Sequence, residues 1–556
     1  MTKMAERVLL WALLCLCTVS LYAERPRVYA IVGAKIVVSP GNVIEKGNLI
    51  LRDGLIEAVG DVPVPADAEV IEAEEDWVVY PSFIDAAAKL GVKKEEKKGP
   101  SGMAGMMAAM MSSGDPKPGA SHEVVKIHPE SRILESLLMD DKASEKHRKM
   151  GFGVAQILPG GGIFQGYSAV MSLREDDIHE LILSPQYAQV MGFNTGSFFS
   201  PSYPSSRMGA VAAVRQAFFD VQQTLAWEAA YDKHPTGMKR PLHRSSDTAL
   251  KAVLDGSTPI LFVADNPLSF DRFGHLAAEF NLKNAVIRGT GEEWVILDRV
   301  KALGFPVLLP LNFPDKPELD DEGVMDVSLK DMQHYLNAPR LPAMLVKEGI
   351  PFALVTDGME SLSAFTKNLA KAVKEGLGPD EALAALTTSP AEMLGLSKVL
   401  GTLEKGKIAN VMVVKGDLFV DKPKMRYLFV DGVGEKIEVK KKGDSSKVED
   451  PVGVWEVTVE VMGRKMESTW TISKEGDGFK GFVEMGDRGK RDFNSVELDG
   501  NSLSINMPTP MGSAMDVTVI IDGDQLEGDT DMEMMGNSVT MKVTGKRIDK
   551  DPGGGL

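Results

Sequence analysis

Eight histidines and a surplus of carboxylates are the groups that could do acid–base or metal chemistry in this chain. Their spacing argues against a shared metal ion. His122 and His128 lie six positions apart, His147 sits in the basic run Lys142 to Lys149, and His179 lies among acids. His234 and His243 flank a proline-containing turn, His275 falls in a helical pattern, and His334 stands between Gln333 and Tyr335. No two have the one-turn separation by which a helix presents two imidazoles to one zinc ion. Each therefore reads as a solvated or capping histidine. Asp265 follows the strand-like run Phe262-Val263-Ala264 and could serve as a general base. An aspartate after a strand is also the residue type that caps a following helix. Gly160-Gly161-Gly162 lacks the Gly-Lys-(Ser/Thr) of a phosphate loop, and no Gly-x-Ser-x-Gly elbow precedes a helix. Carboxylates are too numerous for any pair to stand out as a glycosidase dyad.

The two cysteines, Cys15 and Cys17, fall in a leading segment. Lys3 and Arg7 precede an apolar run from Val8 to Leu21, and Tyr22-Ala23-Glu24 follows. This is the pattern of a secretory signal peptide at residues 1–23, with cleavage expected after Ala23. The run is shorter than the roughly 18–20 apolar residues that span a bilayer, so no membrane association is expected after cleavage. The mature chain would be periplasmic or secreted, with no disulfide, thiolate nucleophile or cysteine-bound zinc. The net charge of −17 and the absence of a long basic cluster argue against nucleic-acid binding.

The elements that must position any site alternate in type. Val28 to Val79 reads as short strands, with an Asp53-Gly54 hairpin turn between Asn48 and Gly60. From about 85 to 401, strand runs alternate with helical patterns. Gly153 to Leu158, Thr258 to Val263, Ala285 to Ile287, Pro306 to Leu309 and Pro351 to Val355 are the strands. Helices are expected around Ser269 to Phe280 and Glu292 to Leu303. This alternation predicts a parallel sheet, closed as a (β/α)8 TIM-like barrel or open as a Rossmann-type sheet. No Gly-x-Gly-x-x-Gly opens a helix after the first strand, which disfavours the open form.

A methionine-rich insertion at 93–121 reads as a flexible loop with a short helix, with a lid or a thioether copper(I) site as sharper readings. A second insertion, Asn194 to Ser206, is rich in Ser, Pro and aromatics. Residues 438–451 form a charged linker. Residues 452–548 read as about eight short strands with Asp-Gly turns at 477, 499 and 522, hence an all-β barrel or sandwich domain. Gly453-x-Trp455 with Arg547 resembles the closure of calycin (lipocalin-like) barrels, in which an arginine packs across the tryptophan ring. A structural barrel without ligand is the plainer expectation.

Two segments resemble the ends of a metal-dependent amidohydrolase of the imidazolonepropionase-like type, and Tyr203 to Phe218 resembles a recurring segment of an exported bacterial subgroup. Pro81-Ser82-Phe83-Ile84-Asp85-Ala86-Ala87-Ala88-Lys89 is similar to the family's Pro-Gly-(Phe/Leu)-Ile-Asp-x-His-x-His, and Leu400 to Val411 is similar to its closing Gly-Lys-x-Ala-Asp segment. The resemblance spans residues 28 to 437. It implies a composite β-sandwich from 24–84 and 402–437, flanking a barrel at 85–401. It also implies hydrolysis of non-peptide carbon–nitrogen bonds by a metal-activated water. The ligand positions have changed. Ala87 and Lys89 stand where the two histidines belong, and Asn410 replaces the closing aspartate. The fourth-strand region, placed at Ile157 to Gly166, offers no ligand, and Arg288 lies near the sixth-strand histidine. Asp357, in Leu354-Val355-Thr356-Asp357-Gly358, keeps the last-strand acid that would act as the catalytic base. Lys89, Asp265 and Arg288 are the candidate binding residues, no metal ligand is assigned, and zinc would need a rebuilt site. A pairing of Lys89 or Arg288 with Asp357 would replace the metal by an ion pair. Hydrolase and inactive binding or scaffold protein, with a small molecule at the barrel mouth, are the two functions in view.

Overall fold

Strands β1 (Val28–Ser39), β2 (Asn42–Arg52) and β3 (Leu55–Gly60) form an antiparallel meander, because apolar residues recur along each of them. The turn from β2 to β3 is Asp53-Gly54, with φ of 51° and 82°. Two consecutive positive φ values match the right-handed twist of a tight hairpin and suit an Asp-Gly pair. β4 (Glu69–Glu72) and β5 (Trp77–Pro81) pair in parallel with β1. The structure, a computed structural model, describes residues 28–91, 122–137, 141–195, 203–316, 327–359, 361–420, 423–437, 449–461, 464–475, 478–484, 489–508, 514–534 and 537–550. The expected signal segment, the methionine-rich insertion 93–121 and much of the second insertion lie outside these residues.

The barrel begins with β6 (Phe83–Ala88), which pairs in parallel with β7 (Phe152–Ile157). A ribbon of β8 (Phe164–Tyr167) and β9 (Ala169–Ser172) comes next, with β10 (Ile182–Ser184) on the outer edge of β9. β9 runs antiparallel to β7, and β8 runs antiparallel to β11 (Gln189–Gly192). β11, β12 (Ile260–Val263), β13 (Ala285–Arg288), β14 (Val307–Pro310) and β15 (Phe352–Val355) follow in parallel. Asp357 N donates to Ala87 O at 2.9 Å, which ties the end of β15 back to β6. The result is a TIM-type barrel.

One expectation is corrected here. Ile157 to Gly166 is not the fourth strand. It spans the end of β7 and the start of the ribbon, and β11 holds the fourth position. Gly161 and Gly162, both at φ 86°, turn the chain back on itself, so that the next strand runs antiparallel.

Helices fill the crossovers. α1 (Asp141–Lys149) precedes β7; α2 (Arg207–Lys233) and α3 (Ser245–Leu254) precede β12; α4 (Leu268–Glu279) precedes β13. α5 (Leu297–Leu303) precedes β14, and α6 (Leu329–Asn337) and α7 (Leu341–Glu348) precede β15. α8 (Phe365–Lys374), α9 (Pro379–Leu386) and α10 (Thr388–Met393) follow β15. Strand side chains alternate in direction. Phe262, Ile287, Leu309 and Leu354 join the large core shared with the helices. Leu261, Leu308 and Val355 belong to a second buried cluster inside the ring, with Val286 packed against it. The chain then returns to the first sheet. β16 (Val411–Lys415) pairs with β5, setting Val413 opposite Val79, and β17 (Lys424–Val430) and β18 (Val433–Lys436) complete eight strands.

The chain divides into two units between Ile437 and Glu438. In the second, β19 (Gly453–Val461), β20 (Arg464–Glu475), β21 (Gly478–Glu484), β23 (Ser495–Asp499), β24 (Ser502–Pro508), β25 (Ala514–Asp522), β26 (Gln525–Met534) and β27 (Asn537–Asp549) form a closed antiparallel barrel. β20 closes it by pairing with both β19 and β21, and short β22 (Lys490–Asp492) extends from β21. Trp455, Trp470, Ile472, Leu503 and Val519 lie in one buried cluster, so the interior is a packed core. Arg547 lies opposite Trp455, with its guanidinium carbon 4.4 Å from the ring centroid. It also donates to the carbonyls of Val452, Asp450 and Gly523. Gly453 has φ of 142°, and a Cβ there would fall 2.5 Å from Asp549 O, so only glycine fits. No helix among the described residues is long and apolar enough to cross a membrane.

Candidate functional site at the barrel mouth

The carboxyl ends of the parallel strands bring three of the candidate residues together. Asp357 lies two positions beyond Val355 and shares its inward direction, and Arg288 is the last residue of β13, in phase with inward Val286. Lys89 follows β6 directly. Lys89 Nζ lies 3.0 Å from Asp357 Oδ1, and Arg288 Nε lies 2.8 Å from Oδ2. The aspartate side chain is 2% exposed, the arginine 12% and the lysine 60%. The arginine contact is therefore shielded from water and strong, whereas the lysine contact is screened. The Arg288 contact is ionic rather than a directed hydrogen bond: the two close atoms lack an aligned partner, although Arg288 Nη1 donates to Gly289 O at 2.8 Å. Gly358 has φ of 91°, and a Cβ there would lie 3.0 Å from Arg288 Nη1. A side chain there would press on the guanidinium and strain a backbone conformation that favours glycine.

The divalent ion implied by the resemblance does not fit this donor set. Asp357 has a cation against each oxygen, so a dication there would stand within a few ångströms of an ammonium and a guanidinium. Among the described residues, no three His, Cys, Asp or Glu side chains converge to hold an ion.

Asp265 stands apart from this group. Its carboxylate takes Arg207 Nη2 at 2.6 Å, Asn266 Nδ2 at 2.9 Å and Ser269 Oγ at 2.5 Å. The N-cap of α4 is Pro267, without a side-chain cap, so Asp265 does not occupy the capping position.

Two residues with chemistry escaped the sequence reading. Asp85 on β6 is fully buried and faces the helix layer. Its Oδ1 accepts from Ala87 N at 3.1 Å and Thr356 N at 3.3 Å, and Thr356 Oγ1 lies 2.5 Å from Oδ2. His147 is not solvated, as expected from its basic surroundings, but buried on the inner face of α1 beside Ser144 and Arg148. Its Nε2 lies 3.3 Å from Thr356 Oγ1 and 3.8 Å from Asp85 Oδ2, and its Nδ1 lies 3.0 Å from Ala143 O. Burial pushes Asp85 up to about 7; the hydrogen bonds from Thr356 and Ala87 oppose this, and the nearby charge of Asp357 adds to it. Burial pushes His147 down to about 4. The only early signal was the i, i+3, i+4 spacing of Ser144, His147 and Arg148, a buried face made of polar residues.

The sequence model of the Amidohydrolase family matches residues 319–437, which include Asp357 and the closing strands. Imidazolonepropionase of Flavobacterium johnsoniae is 33% identical over 122 residues, 21% of this chain and 30% of that protein. Imidazolonepropionase of Christiangramia forsetii is 32% identical over 120 residues, 21% and 29% of the two chains. The matched segments thus span under a third of these curated relatives. A crystal structure of an amidohydrolase from Thermotoga maritima superposes with a TM-score of 0.58 at 22% identity, over 73% of this chain and 99% of that one. Residues 319–437 thus match the Amidohydrolase family model, a segment of the chain is similar to imidazolonepropionases, and the first unit shares the fold of the Thermotoga maritima amidohydrolase.

Proposed function

We propose that the first unit is a ligand-binding derivative of the amidohydrolase barrel, which takes a small anionic molecule at its mouth and does not hydrolyse it. The observation that supports this reading is the engagement of both Asp357 oxygens by cations, Lys89 at 3.0 Å and Arg288 at 2.8 Å. A carboxylate with both oxygens engaged and its side chain 2% exposed has little access to a water. Lys89 contacts Asp357 through one end of an exposed ammonium that has three donors, so it can also hold a carboxylate arriving from solvent. The C–N hydrolase activity of the imidazolonepropionase relatives is the competing reading.

Elemental mass spectrometry on chain purified without chelator, together with a hydrolysis screen of N-acyl amino acids and imidazolones with added zinc, separates the two. The expected result is no stoichiometric metal, no turnover, and a rise in unfolding temperature with small mono- and dicarboxylates that Lys89→Met abolishes. About one metal per chain, with turnover lost in Asp357→Asn, would establish the hydrolase instead.

A further inference from the structure

Behind the mouth, between the barrel wall and α1, three polar side chains meet beside Phe152, whose ring lies 5.9 Å from that of His147 and packs against Phe83 and Phe365. We propose that Asp85, Thr356 and His147 form a one-proton relay, a built-in pH sensor that sets the charge beneath Asp357. This inference goes beyond the ligand-binding reading and does not depend on it.

The hydrogen-bond count carries the argument. His147 Nδ1 faces the Ala143 carbonyl, which can only accept, so Nδ1 bears a proton. In the neutral ring Nε2 is then an acceptor, and its partner is the Thr356 hydroxyl. That hydroxyl has one proton and two neighbours, Nε2 and Asp85 Oδ2. If Asp85 is ionised, the hydroxyl must donate to it, and Nε2 is left without a donor. If Asp85 carries the proton, it donates to Thr356 Oγ1, Thr356 donates to Nε2, and every polar atom of the chain of three is satisfied. Oδ1 keeps the two backbone N–H donors in both states.

The surrounding charges favour the same state. Asp357, one residue past Thr356, opposes a second negative charge, and it is itself held by Lys89 and Arg288. On the histidine side, Lys146 opposes a positive ring, while Arg148 is engaged by Glu175 and Glu435. α9 and α10 pack against β6 but turn Asp380, Glu381 and Glu392 to solvent. No cation among these groups sits against Asp85, so the proton rests on the carboxyl and leaves as the pH passes neutrality. Its loss puts a negative charge behind Asp357 and lowers the positive potential that Lys89 and Arg288 give the mouth.

The test uses the pH dependence of unfolding in the full chain. The folded relay holds one proton, on Asp85, between pH values of about 4 and about 7. The unfolded chain holds one on His147 below its ordinary 6.5, and none on Asp85 above its ordinary 3.8. Between about 4 and 6.5 the two states bind equal numbers of protons, and the relay adds no slope. Each single variant removes one side of that balance. Asp85→Asn leaves His147, whose lowered value makes stability, relative to wild type, rise with pH over that window. His147→Gln leaves Asp85, whose raised value makes stability relative to wild type fall as pH rises from about 4 to about 6.5, above which both chains lose stability alike. Each slope approaches tenfold in the unfolding constant per pH unit. Variant-to-wild-type ratios that stay flat with pH would overturn the relay. If either variant fails to fold, infrared spectroscopy of the wild type decides. A protonated carboxylic-acid band at about pH 5 that is lost by about pH 9 is expected, and its carbonyl frequency should rise in Thr356→Val, which removes the oxygen that accepts the Asp85 proton. No such band at the lower pH would overturn the proposal.

Discussion

Asp357 binds two cations of very different exposure, and removing its charge has unequal consequences. Asp357→Asn leaves the Arg288 guanidinium buried without a counter-charge, and destabilisation of about 3 kcal/mol is expected in chemical denaturation. Lys89→Met removes a partner that is 60% exposed, and a change within about 1 kcal/mol is expected. Equal effects would mean that the lysine, not the arginine, fixes the carboxylate. Gly358 is a second probe of the same packing. Gly358→Ala combines a positive φ with a Cβ pressed against Arg288, whereas Gly304→Ala has a positive φ of 69° and open space around it. Gly304→Ala should destabilise by about 1 kcal/mol through backbone strain alone. Gly358→Ala should exceed that measurably, because the guanidinium must also move.

Among the elements, those legible in the sequence were the ones whose signals are local. The Asp-Gly turn of β2–β3, the strands β12 to β15 and the Gly-x-Trp opening of the second barrel all depend on residues within a few positions of one another. Lys89, Arg288 and Asp357 could be named because the resemblance to the amidohydrolases places the family's ligand positions at the ends of their strands. β11 was missed. Gln189–Gly192 pairs on one side with antiparallel β8, a partnership set by the reversal at Gly161-Gly162, and hydrophobic periodicity does not carry that tertiary consequence. α1 misled for a different reason. Its buried stripe is Ser144, His147 and Arg148, so hydropathy reads the helix as solvated, and the Asp85–His147 pairing stays invisible. In the second barrel, Arg547 joins the end of β27 to the start of β19 through the carbonyls of Val452 and Asp450 and the face of Trp455, and to the β25–β26 turn through that of Gly523. Arg547→Met keeps the aliphatic stem but loses those bonds, and destabilisation of this unit by about 2 kcal/mol is expected in thermal unfolding.

At the scale of the molecule, the two units have separate cores, one gathered around the first barrel and one around Trp455 and Trp470. Calorimetry should resolve two transitions, since independent cores need not melt together. Trp470→Ala should lower one of them, by about 3–5 kcal/mol in the stability of its unit, and leave the other in place. A single transition that shifts as a whole would mean that the units unfold cooperatively. The first unit has a further property, which comes from the pairing of β5 with β16. Val79 and Val413 are neighbours in the sheet but belong to opposite ends of the unit. During synthesis, the edge of β5 therefore waits through the whole length of the barrel before its partner leaves the ribosome. Until then its backbone donors and acceptors are open to any other strand. The order of manufacture, rather than the finished fold, makes this seam the place where assembly is most exposed to error, and a chain cut before β16 should aggregate rather than fold.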